Sequence, residues 1–157
     1  MTTLKLTRKD FDASMRYAAN GGVLDHDGNI EIEESLGCVS FHQLSAKGYI
    51  VAQAGSGIKA GWGIKAGWGI EAGEGIEAGW GVRCKLTLSF KLRLFAGLCI
   101  WCKPTDEEME VRCGKKEGGE VAYGNLIEIG LPAEKKSLSG KKVTVTVGEE
   151  TYIATID

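Results

Sequence analysis

Two cysteines three residues apart, Cys99-x-x-Cys102, form the sharpest chemical pattern in the chain. Thiolates at that spacing either hold zinc or cycle between dithiol and disulfide. Zinc needs two further ligands, for which Cys113 with Cys84, Cys38, His26 or His42 are the candidates, and neither a second such cysteine pair nor paired histidines exist. A thioredoxin-like pair should open a helix after a strand, and Pro104 follows Cys102 too soon for a long one. The two residues are expected as packed, reduced cysteines, with thiol or zinc chemistry as the alternative. Two histidines, no nucleophile elbow and no phosphate-loop pattern leave acid–base and nucleophilic chemistry without a set of residues. No catalytic residue, metal or cofactor is assigned.

Asp25-His26-Asp27-Gly28-Asn29 has the composition of a calcium loop, but its glycine is fourth rather than sixth and Leu36 stands where the twelfth-position glutamate should be. A tight turn explains it better. Arg83, Lys85, Lys91 and Arg93 all occupy odd positions of one alternating stretch, so they are expected on its wet face as a basic stripe. Such a stripe suits an acidic protein surface or a phosphate backbone, although no aromatic residue interleaves with it on that face. Trp62, Trp68 and Trp80 recur on a six-residue grid. Either they fill a core or they stand at corners as a recognition edge, and the sequence leaves both readings open.

These residues sit on, or next to, an internal repeat. Gly57 to Gly81 reads Gly-Ile-Lys-Ala-Gly-Trp twice, then Gly-Ile-Glu-Ala-Gly-Glu, then Gly-Ile-Glu-Ala-Gly-Trp, with a decayed copy from Gly81. Every even position from Ile58 to Leu94 is apolar except Glu74, while the odd ones carry Gly, Lys, Arg, Glu, Thr or Ser. Period two means strand, with Ile58, Ile64, Ile70, Ile76 and Val82 inside and Lys59, Lys65, Glu71 and Glu77 in water. A strand so long must fold back, and the glycines flanking Trp62, Trp68, Glu74 and Trp80 are the places for bends. Stacked units of this kind make a β-solenoid. Opposite charges prefer to sit across a ladder, which excludes stacking each hexad on the next and favours a flattened coil of two hexads. A three-hexad coil, with Lys59 on Glu77 but Lys65 on Arg83, and a hairpin bent at Trp68 also remain.

The flanks are shorter elements. Thr7 to Asp10 reads as a helix start, and Phe11, Met15 and Ala18 at helical spacing predict a short amphipathic helix over residues 8 to 19. Short strands follow through residue 51, broken at Gly37 and Gly48. Thr105 to Glu108 predicts a capping box opening a helix to about Arg112, and Glu120 to Leu131 a strand interrupted at Gly124-Asn125. Val143–Val147 and Thr151–Ile156 predict a terminal hairpin. The 157 residues fit a single domain over 1–157, with residues 1–48 as N-terminal helix and strands, 49–95 as the repeat and 96–157 as C-terminal strands and hairpin. The fold class is mainly β, with a solenoid-like hexad centre, a short N-terminal helix and a C-terminal β-hairpin. A net charge of −2 gives no global attraction to nucleic acid or membrane, and neither a secretory signal nor a membrane span is evident, so a cytoplasmic protein is expected.

The hexads share the solenoid principle with the left-handed β-helix acyltransferases, but lysine second and tryptophan fifth depart from that rung, and no catalytic histidine is evident. The tandem Gly-Ile-(Lys/Glu)-Ala-Gly-x run over Gly57–Gly81 resembles small prophage and mobile-element proteins of bacteria. That resemblance implies an anti-defence role, such as an anti-CRISPR protein that blocks a nuclease complex, and transfers no residue roles. The expectation is a non-enzymatic binding protein whose partner is a protein, for example a CRISPR–Cas or other defence complex. Trp62, Trp68, Trp80, Arg83, Lys85, Lys91 and Arg93 are the candidate contact residues. A nucleic-acid contact through the stripe and a self-assembling homo-oligomeric solenoid are the alternatives.

Overall fold

The computed structural model describes residues 1–99, 102–132, 142–147 and 150–155, the last two stretches as backbone strands. Along the chain run β1 (Thr3–Leu6), β2 (Val23–His26), β3 (Asn29–Ile32), β4 (Gly37–Phe41), β5 (Gln43–Ala46), β6 (Ile50–Ala52), β7 (Ser56–Ala60), β8 (Ile64–Ala66) and β9 (Ile70–Ala72). They are followed by β10 (Ile76–Ala78), β11 (Val82–Arg83), β12 (Thr87–Ala96), β13 (Glu110–Cys113), β14 (Lys115–Tyr123), β15 (Asn125–Glu128), β16 (Lys142–Val147) and β17 (Glu150–Thr155). Among the strands of the described residues only the last two pair antiparallel, as the expected hairpin, and every other strand ladder is parallel.

Each hexad strand pairs with the strand three hexads later. Ile58 lies beside Ile76, Ile64 beside Val82, and Ile70 beside Leu88. One circuit of the chain is thus three hexads, not the two that the charge pattern favours. The strands fall into three rows: β1-β3-β6-β9 continuing into the first half of β12, β4-β7-β10 continuing into its second half, and β2-β5-β8-β11-β13-β15. Because β12 belongs to two rows, those rows, with β14 paired to β12, form one nine-stranded sheet that curls, while the third row is a separate six-stranded sheet. The parallel, curled arrangement is compatible with the solenoid-like centre expected.

The three-hexad circuit keeps one of the favourable charge pairs and accepts an unfavourable one. Lys59 Nζ lies 2.7 Å from Glu77 Oε1 across the second row. Lys65 instead falls beside Arg83. Arg83 turns to Glu110, 3.5 Å away, a carboxylate supplied from outside the hexads.

The parity rule places the core well. The five aliphatic residues expected inside are buried, as are the alanines two residues after the hexad isoleucines, together with Leu88, Phe90 and Leu94. Its exception is periodic. Trp62, Trp68, Glu74, Trp80 and Leu92 are exposed and Leu86 is half-buried, so every sixth even position is a corner that turns outward.

No helix forms over residues 8–19. The capping contacts are real, with Thr7 N–H donating to Asp10 Oδ2 at 2.7 Å, but they open a single 3-10 turn, Arg8–Asp10. Beyond it Asp12 Oδ1 accepts the N–H groups of Ser14 and Arg16, Met15 stands at φ 58°, and Phe11 bridges antiparallel to Tyr17. Phe11 and Tyr17 pack edge-on and tilted against Phe41, covering the start of the core. Thr105 and Glu108 likewise form their capping pair yet open only a 3-10 turn, Glu107–Met109, after which the chain is strand β13. Among the described residues no helix is long and apolar enough to cross a membrane.

Candidate functional site

The corners are built by Gly-x-Gly. A Cβ on the first glycine of a hexad would press on a carbonyl oxygen of the following circuit, as Gly63 would on Gly81 at 3.0 Å. One on the glycine before the corner residue would collide with a carbonyl of the preceding circuit, as Gly79 would with Gly61. Neighbouring circuits therefore approach at bare backbone, and the residue between the glycines is forced outward.

Along one edge this geometry produces a column of rings. Trp62 and Trp80, 42% and 38% exposed, stack with centroids 5.3 Å apart and planes 8° from parallel. His42 continues the column, 4.6 Å from Trp62. Repetition of the hexad makes the stack: residues eighteen apart occupy the same corner one strand spacing away, about 4.8 Å. Trp68, one hexad after Trp62, sits on the next edge and packs edge-to-face on Tyr49 at 5.2 Å. The three tryptophans are thus all displayed, but on two edges.

The basic residues do not form one stripe. Arg83 lies on the six-stranded sheet, Lys85 follows it beside the Trp68 corner, and Lys91 and Arg93 flank the outward corner Leu92 on the nine-stranded sheet. The parity that gave all four the same face is locally right, but the chain turns a corner at Leu86 and another at Leu92. Lys91 and Arg93 line a groove of about 620 Å3 that also contains Glu74, Glu77 and Glu120, and Arg93 pairs with Glu120 at 3.6 Å.

A different basic row appears instead. On the outer face of the six-stranded sheet Lys65, Arg83 and Arg112 are in register on three successive strands. Glu110, whose side chain is 14% exposed, contacts both arginines, at 3.5 and 3.3 Å. The Trp62–Trp80 column borders this face. Between them runs an open groove of about 380 Å3, floored by Gly63 and Gly81 and closed at one side by Thr105, Glu107 and Glu108. The Arg83 guanidinium also donates to the Glu107 carbonyl at 3.2 Å, tying that wall down. Arg112 was not singled out from the sequence, and His42 only as a candidate zinc ligand; the strand register and the ring contact reveal what they face.

Cys99 and Cys102 bring their sulfurs to 3.3 Å in the segment leading to that wall. The hydrogen bond to Cys99 pushes the Cys102 thiol up from its ordinary value. Cys84 and Cys113 lie elsewhere, inside the core, where burial and the neighbouring Cys113 push the Cys84 thiol up to about 12. Among the described residues no three His, Cys, Asp or Glu side chains converge as a metal site. Asp27 of the calcium-like loop pairs with Lys47 at 2.7 Å, at a corner between β2 and β3. Comparison with known proteins gives no match of this chain to a protein-family model, to a curated protein or to a solved structure.

Proposed function

We propose that this chain is a three-sided β-solenoid that acts as a non-enzymatic binding protein, with the Trp62–Trp80 edge and the adjoining groove as its contact surface. The observation that carries this reading is the stacked, exposed indole pair at glycine-built corners. Large aromatic surface is held rigidly in water at no cost in ordering when a partner covers it, which is the usual chemistry of a binding hot spot. The resemblance of the hexads to mobile-element proteins narrows the partner to a component of a bacterial defence complex, which the protein would inhibit by occupying its surface.

The test is affinity capture from a bacterial lysate with the unmodified chain and with Trp62→Ala/Trp80→Ala, each checked by thermal melting. The expected result is a defence-complex component retained by the first and lost by the second at similar melting temperature. Capture that ignores the double substitution overturns the edge, and capture of no defence component overturns the narrower reading.

A further inference from the structure

The outward ladders of the three rows differ in sign. On the row beginning with β1, Lys5 faces Glu31 and pairs with it at 3.6 Å; on the β4 row, Lys59 pairs with Glu77 at 2.7 Å. On the six-stranded sheet the corresponding column runs Asp25, Ser45, Lys65, Arg83, Arg112, Ile127. Three cations therefore stand on adjacent strands, an arrangement that disfavours folding. Glu110 offsets part of the repulsion between the two arginines. Among the described residues no carboxylate is paired with Lys65, which lines the same groove as the two indoles. A surface that retains unbalanced charge beside displayed aromatic rings has the two components of a recognition site for an anionic group attached to an apolar one.

The length of the positive window decides between anions. Three rungs span about 10 Å. It ends at Ser45 and Asp25 on one side and Ile127 on the other, and Glu107 and Glu108 wall the groove. A nucleic-acid strand would carry further phosphates onto these acids, and the chain as a whole is at −2. Two or three carboxylates fit the window without that conflict.

Resting on the reading of this edge as the contact surface, we infer that the partner presents a short acidic protein segment, whose carboxylates meet Lys65 and Arg83 while a neighbouring apolar side chain lies against Trp62 and Trp80. Arg83 is held for this by Glu110 and the Glu107 carbonyl, so it is pre-positioned, and Lys65 adds a second cation in register with it.

The probes are a short peptide of alternating Glu and Leu, the same peptide with Gln for Glu, and a short single-stranded oligonucleotide. Each is titrated while the indole N–H resonances are followed by NMR. The acidic peptide should shift Trp62 and Trp80 but not Trp68. Its affinity should fall about tenfold in Lys65→Glu and less in Lys65→Gln, and fall with added salt. Lys65→Glu places opposite charges across the ladder, so loss of binding there is not loss of fold. Equal affinity for the Gln peptide, no shift with the acidic peptide, or tighter binding of the oligonucleotide would each overturn the inference. If partner capture depends on Trp62 and Trp80 but not on Lys65, the contact edge stands and the acidic segment falls.

Discussion

The carboxylate of Asp12 accepts backbone N–H groups from Ser14 at 2.8 Å and Arg16 at 3.0 Å, and these two bonds replace the helix that the apolar spacing predicts. Phe11, Met15 and Ala18 do recur at helical intervals, but a short polar side chain can offer nearby amides an alternative to the helix ladder. With Met15 at φ 58°, the segment becomes a looped strap over the core end. The Arg16 amide bond is the main cause that holds the Asp12 carboxyl below its usual 3.8. A folded-state value below the unfolded one means the contribution is present above that ordinary value and is lost as pH falls through the folded value. Amide exchange at Ser14 and Arg16, taken relative to the intrinsic rate of an unprotected amide at the same pH, should therefore be slow at neutral pH and should lose that protection on acidification below about pH 4. Asp12→Ala should make it fast at both. Slow exchange at neutral pH in Asp12→Ala would show that the carboxylate does not hold the strap.

At the scale of the element, the corner is where a single alternation rule stops sufficing. The parity of the hexads gives the buried isoleucines and alanines and the wet charges, because within each three-residue strand successive side chains do alternate across the sheet. It cannot tell an inward even residue from an outward one at a bend, where the backbone itself changes direction. The glycines carry that information, since they mark where circuits touch backbone to backbone. The two kinds of corner residue should respond oppositely to mutation. Gly79→Ala drives a methyl into the Gly61 carbonyl and should cost about 1–3 kcal/mol, the range of an overpacked site. Trp80→Ala next to it removes an exposed ring and should cost under about 1.5 kcal/mol, the worth of an aromatic pair beyond its buried area. Urea denaturation of both variants checks the order, and a larger loss in Trp80→Ala would make the indole a structural rather than a display residue.

Across the whole molecule, circuit length decides which residues meet, and the hexads alone do not encode it. Their charges favour two hexads per circuit because Arg83 then finds Glu71; the structure instead satisfies Arg83 with Glu110, 27 positions later in the sequence. A partner so distant is invisible to a ladder rule applied within the repeat. The end of the stack is legible once the circuit is known. In register with the buried Leu88 and Cys113, the last circuit carries Lys116 and Glu128 at the inward-facing places. The Lys116 ammonium lies 5.7 Å over the Phe90 ring and donates to the Gly119 carbonyl, while Glu128 accepts the Lys116 N–H at 2.7 Å. Charged groups set where the next circuit's apolar residues would rest oppose addition of another chain to β14 and β15, the last strands of their rows among the described residues. Lys116→Leu/Glu128→Leu restores an apolar end beside the exposed Leu126 and should shift the protein toward larger species in light scattering coupled to size exclusion. A mass distribution unchanged from that of the unmodified chain would show that these two charges do not guard the end, and that termination rests on the strand edges themselves.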